Sequence, residues 1–145
     1  MSNDMNQHLS RATAIVALGF GLLTIKEGGT ILFGSEAVRV AAGNYVPFVL
    51  WFNFLAGFAY VSAGIGLWLG FRWAVWLAIA LAATTAAVFA AFGIHIYAGG
   101  SYEMRTVGAM TLRTLVWTTI AVIAWRRLRR MRQGENSKRG LRSAS

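Results

Sequence analysis

Four apolar runs, each long enough to cross a bilayer, decide most of what this chain can fold into. A hydrocarbon core of about 30 Å needs about 20 mostly apolar residues per helix. Runs of that kind cover about residues 13–34, 47–69, 73–97 and 107–125. They leave residues 1–12 as a polar lead-in, connectors at 35–46 and 98–106, a tight turn around Gly70–Trp73, and a tail from Arg126. The first run carries Lys26 and Glu27. Stopping it at Ile25 would leave about 20 Å of helix, too short to span, so it continues through Gly28–Phe33 with both charges inside. A cleaved signal peptide is the competing reading, but no small-x-small site follows the run and only Arg11 precedes it. The expected fold is all-α, a four-transmembrane-helix bundle.

Composition agrees with a lipid solvent. Charged residues are 13% and hydrophobic residues 57% of the 145, and the mean hydropathy is +0.54. A soluble domain carries about 25% charged residues, so a soluble fold is excluded, as is disorder over most of the length. Absence of cysteine removes disulfides, thiolate nucleophiles, iron–sulfur ligation and thiolate zinc sites. The net charge of +9 looks like a nucleic-acid signal until it is located: residues 126–145 hold eight of the fourteen Lys and Arg. That tail lacks an aromatic platform, so nucleic acid is not an expected partner. Arg126, Arg127, Arg129, Arg130 and Arg132 instead form a basic juxtamembrane helix suited to anionic lipid headgroups. Residues 133–145 read as a disordered tail.

Cations near the span ends give the orientation. Arg11, Arg72 and the Arg126–Arg132 run lie on one side; Arg39 and Arg105, offset by Glu36 and Glu103, lie on the other. The positive-inside rule puts both termini in the cytoplasm and both long connectors outside. Trp51, Trp68, Trp73, Trp76, Tyr97, Tyr102 and Trp125 fall near span ends, as an aromatic belt does. Small residues every four positions in span three (Ala78, Ala82, Ala86, Ala90 and Ala83, Ala87, Ala91), and on similar spacing in span two (Ala59/Ala63 and Ser62/Gly66), suit close helix packing, inside the bundle or along a homodimer seam.

The polar residues inside the spans converge in depth. Lys26, Glu27, Asn53 and Arg113 each lie about 9–12 Å below the outer end of their helix. His95 sits slightly higher, with Glu103 and Arg105 above. Ionisable groups in a span cost at least a few kcal/mol each and face partners or water. Two readings follow. Glu27 pairs with Arg113 or Lys26 while His95 and Asn53 complete the bonding, and the layer only holds the bundle together. Alternatively Lys26, Glu27, Asn53, His95, Glu103, Arg105 and Arg113 floor an outward-facing pocket whose cations favour a small anion or a quinone-type carbonyl. His95 is read as a packing residue, a proton carrier beside Glu103, or a haem ligand with Met104 or Met110; haem and metal are disfavoured. No Walker loop, HExxH or GxSxG is present, so no catalytic residue and no resident cofactor are expected.

Arg11 at the head of the first span, Lys26 with Gly28-Gly29, and Gly64-Ile65-Gly66-Leu67-Trp68-Leu69-Gly70 running into Trp73–Leu81 resemble the DoxX-like group of small four-helix membrane proteins. The resemblance covers roughly residues 11–125 and implies a four-helix bundle in a bacterial inner membrane. Several members belong to membrane oxidoreductase systems such as thiosulfate:quinone oxidoreductase and terminal oxidase modules, usually as subunits without chemistry of their own. Glu103-Met104-Arg105 and Arg113 fall outside that pattern. The function expected is an accessory or assembly subunit of a larger, plausibly redox, membrane complex, with other subunits or further copies of the chain as partners. An oligomeric carrier for an anion or a proton-coupled substrate, and a quinone- or lipid-binding enzyme, are the alternatives.

Overall fold

The computed structural model describes the backbone of residues 2–143 and the side chains of His8 and of residues 11–134. Five helices follow one another: α1 (Ser2–Phe33), α2 (Glu36–Ala42), α3 (Pro47–Trp68), α4 (Arg72–Tyr97) and α5 (Met104–Ser143). Four are long and apolar enough to cross a membrane, over Arg11–Phe33, Pro47–Trp68, Arg72–Tyr97 and Met104–Gly134. The fold is thus an all-helical arrangement compatible with a membrane bundle. One end of it carries α2 and the α4–α5 connector and is called the connector end. The opposite end carries the α3–α4 turn, the start of α1 and the end of α5.

Local chemistry explains the boundaries. Pro47 starts α3, where its missing N–H costs nothing. Gly70 at φ 77° lets the chain reverse between α3 and α4, and the Phe71 N–H closes the turn on the Gly66 carbonyl at 2.8 Å. One expectation needs correcting. α5 continues to Ser143, where composition predicts a disordered tail from Gln133; extending a helix already nucleated by its apolar span carries no new nucleation cost, even through Gly134 and Gly140. The polar lead-in is helical as well, from Ser2. The 35–46 connector contains a helix, begun by Val38 and Arg39 N–H bonds to the Ser35 carbonyl at 3.0 and 3.1 Å. Met1, Ala144 and Ser145, the extremes of the predicted lead-in and tail, lie outside the described residues.

The helices pack in two pairs. α1 lies along α3 and α5 along α4, α3 and α4 join the pairs, and α1 meets α5 over only a short stretch. Close approach of α1 and α3 depends on glycine. A Cβ on Gly57 would stand 2.6 Å from Ile25 Cγ1 and 3.2 Å from the Gly21 carbonyl oxygen. The alanine stripe of α4 does less than its spacing suggests: Ala78 is buried in the core, but Ala83, Ala86, Ala87, Ala90 and Ala91 are exposed. The main core centres on Tyr60 and Trp117, whose rings lie 4.4 Å apart. A smaller cluster of Val46, Val49, Phe92 and Met110 occupies the connector end. Trp51, Trp68, Trp73, Trp76 and Tyr97 point outward near the helix ends.

Candidate functional site

Between α1, α2, α3 and α5, at the connector end, lies a cavity of about 740 Å³. Lys26, Glu27, Asn53, Arg105 and Arg113 all line it. Lys26, Glu27, Asn53 and Arg113 lie at similar depth because antiparallel helices bring similar distances from one end into register, while Arg105, at the head of α5, stands nearer the mouth. Helix rotation decides the rest. α4 contributes nothing to the lining, so His95 is elsewhere, with its Nε2 3.2 Å from the Ser101 carbonyl oxygen and its ring edge-on to Phe48. Glu103 is absent from the lining as well. Its carboxylate accepts the Asn44 N–H at 2.8 Å, fastening the α2–α3 connector to the head of α5. Gly43, at φ 73°, leaves room for that carboxylate where a side chain would collide with it.

Arg113 is the deepest charge in the cavity wall and only 6% exposed. Its Nη2 donates to Thr24 Oγ1 at 3.3 Å and its Nη1 to the Met110 sulfur at 3.6 Å. Its guanidinium also stands over the Phe20 ring, 5.6 Å from the centroid. None of these partners is a carboxylate, and the Nε–H has no partner at all. Glu27 lines the same cavity, but the expected ion pair with Arg113 does not form. A hydroxyl, a thioether and a ring face are weak compensation for a buried cation, which ordinarily needs a counter-ion and a full set of acceptors. Asn53 adds a second orphan: its Oδ1 is buried and unbonded.

Below Arg113 the bundle closes. Phe20 and Trp117 each pack on Tyr60, joining α1 and α5 to α3, and the Tyr60 hydroxyl lies 3.3 Å from Thr85 Oγ1. The cavity is therefore a chamber that ends above an aromatic floor layer, whose rings do not themselves line it. Three cations (Lys26, Arg105, Arg113) face one acid (Glu27) in its wall, and most of the remaining lining is aliphatic. Such a site suits an acceptor-rich group, an oxyanion or a polarised carbonyl, attached to something apolar. Among the described residues no group of three or more His, Cys, Asp or Glu gathers as a metal centre would require.

Phe20, Thr24 and Met110 are partners that depth arithmetic passes over. Thr24 and Phe20 carried a usable signal: they lie three and seven residues before Glu27, on the same face of a helix that must turn its polar side inward. At the far end of α5, Leu128 is buried while Arg126, Arg129, Arg130 and Arg132 are exposed and Arg127 is half-buried. The Arg129 guanidinium sits 5.5 Å from the centre of the Trp125 ring, an arrangement suited to the headgroup layer.

Compared with protein-family models, with curated proteins and with solved structures, the chain matches none.

Proposed function

We propose that this chain is a multi-pass inner-membrane protein of bacterial type without chemistry of its own, which works as an accessory subunit of a larger membrane assembly. Its own contribution is to hold a small polar or anionic group in the chamber. One observation carries this: Arg113 is buried at the chamber wall with no carboxylate beside it and an unbonded Nε–H. A purely structural layer would have paired that charge. The cation asymmetry of Arg11, Arg72 and the Arg126–Arg132 run supports cytoplasmic termini, which sets the chamber in the half of the bilayer away from the cytoplasm. The resemblance to DoxX-like proteins supports a redox setting, and a quinone carbonyl suits the same donors. The aromatic floor disfavours a carrier, which needs a polar route through the terminal half of the bundle.

The test is mild-detergent solubilisation from the native membrane, blue-native electrophoresis, and mass spectrometry of the chains that co-migrate. We expect migration within a large assembly. Arg113→Gln should remain folded and assembled but lower the activity of that assembly. Migration alone, or an Arg113→Gln chain that fails to accumulate, would sink the subunit and chamber readings respectively.

A further inference from the structure

We infer that the chamber draws its ligand sideways from the bilayer, and that the ligand is an amphiphile with an oxyanion head. The inference deepens the chamber reading above and depends on it. Its first support is the way the helices pair. The lining comes from α1, α2, α3 and α5, yet α1 and α5 meet over only a short stretch. The α1–α5 seam is therefore the loose one, bridged at the chamber's deep end by Arg113 on Thr24 and Phe20 and open as a gap above that bridge. The α5 side of that gap is Gly108, Ala109 and Leu112, all exposed. A Cβ built on Gly108 would find nothing within 4 Å. In a bilayer, a gap of this kind opens onto acyl chains.

The second support is the division of the wall. Its one buried charge is Arg113 at the deep end, while Lys26, Glu27 and Arg105, all exposed, lie nearer the opening and still leave cations in excess. Ile31, Val38, Val46, Val49, Leu50 and Leu112 make up much of the rest. A bare inorganic anion would satisfy the guanidinium and leave those aliphatic walls without contacts. An amphiphile satisfies both, because its head reaches Arg113 while its chain lies along the apolar wall and leaves between α1 and α5. The third support is the roof. α2 lies over the cavity through Val38, Ala41 and Ala42, and the Glu103–Asn44 bond holds the connector that follows it. Entry from the aqueous side is therefore the more obstructed path.

Native mass spectrometry of the full chain released from a non-ionic detergent tests this, with oleate as the probe. Inorganic phosphate and oleyl alcohol serve as the soluble-anion and neutral-amphiphile arms. We expect one oleate per chain, retained saturably, with phosphate and oleyl alcohol retained weakly. Arg113→Gln removes the charge-assisted donor and should weaken oleate retention about tenfold or more. Gly108→Phe fills the gap from an open helix position without touching any charge, and should weaken oleate to a similar degree. It keeps the inference falsifiable even if the arginine variant does not fold. Phosphate retained as well as oleate, and lost in Arg113→Gln but not in Gly108→Phe, would overturn lateral entry while leaving an anion chamber. Oleyl alcohol held as tightly as oleate would overturn the oxyanion head. Oleate retention unchanged in both variants would overturn the inference and the chamber reading together.

Discussion

α1 has two neighbours across the bundle, and the two seams are built on opposite principles. Against α3 it is drawn so close that Gly21 and Gly57 leave no room for a methyl group. Against α5 it makes only slight contact, and the space left over is the chamber. In lipid no hydrophobic drive separates these outcomes, because acyl chains are as apolar as leucine. Packing contacts and polar groups decide. The α1–α3 seam gains dispersion over its length by using small residues. The α1–α5 seam gives up that gain and holds a buried cation instead. A bundle optimised for stability alone would close both.

The strongest way to break this comparison is to remove what props the open seam. Trp117 is fully buried beneath the chamber and packs on Tyr60. Truncating a buried Trp costs about 3–5 kcal/mol through lost contacts and the cavity left behind. Trp117→Ala should therefore lower the melting temperature of the detergent-solubilised protein more than any other single change described. It should also let α5 settle toward α1, read as a shorter distance between spin labels placed on the connector-end halves of those helices. Unchanged melting would mean that the aromatic floor is not a prop.

The next change has the opposite sign. Arg113 is buried with no carboxylate bonded to it, and replacing buried charges by apolar side chains of similar volume is often neutral or stabilising by about 1–4 kcal/mol. Arg113→Met should raise the melting temperature while abolishing whatever binding the chamber performs. A destabilised Arg113→Met chain would mean that the Thr24 and Met110 bonds make the arginine structural, and the open seam would lose its functional explanation.

Both seams were only partly visible in the sequence, for different reasons. The spans were legible because a bilayer imposes a length, and the run limits agree with the candidate spans within about three residues except where the fourth extends beyond residue 125; α1 itself begins well before its apolar run. Depth was legible too, because rise per residue is fixed, and it brought Lys26, Glu27, Asn53 and Arg113 to one level. Rotation about each helix axis was not. His95 has the right depth, yet it lies on α4, which turns away from the chamber, and Glu103 is occupied by Asn44. The close seam hid behind a conspicuous decoy. Alanines every four residues pointed to α4, whereas α1 and α3 approach through Gly21 and Gly28 and through Gly57 and Gly64, each pair seven residues apart. A seven-residue spacing of glycines is the signal of one helix face returning after two turns, and only the contact with a partner reveals which face is used.

The smallest effects give the sharpest contrast, because the same substitution should act with opposite signs on the two seams. Gly57→Ala adds a methyl group where Ile25 and the Gly21 carbonyl already stand. Overpacking of this kind costs about 1–3 kcal/mol, and backbone atoms yield less readily than side-chain ends. Gly108→Ala adds the same methyl group to open space on α5. There the gain is the helix propensity of alanine over glycine, about 0.5–1 kcal/mol. Melting temperatures measured in one detergent, with the two variants side by side, should move down for Gly57→Ala and up for Gly108→Ala. A fall in both would mean that α5 closes on α1 in the membrane, so that Gly108 is a contact residue there and the chamber is sealed from that side. A rise in both would mean that the α1–α3 seam relaxes in lipid. Opposite signs would leave one tight seam and one open one, as lateral entry to the chamber requires.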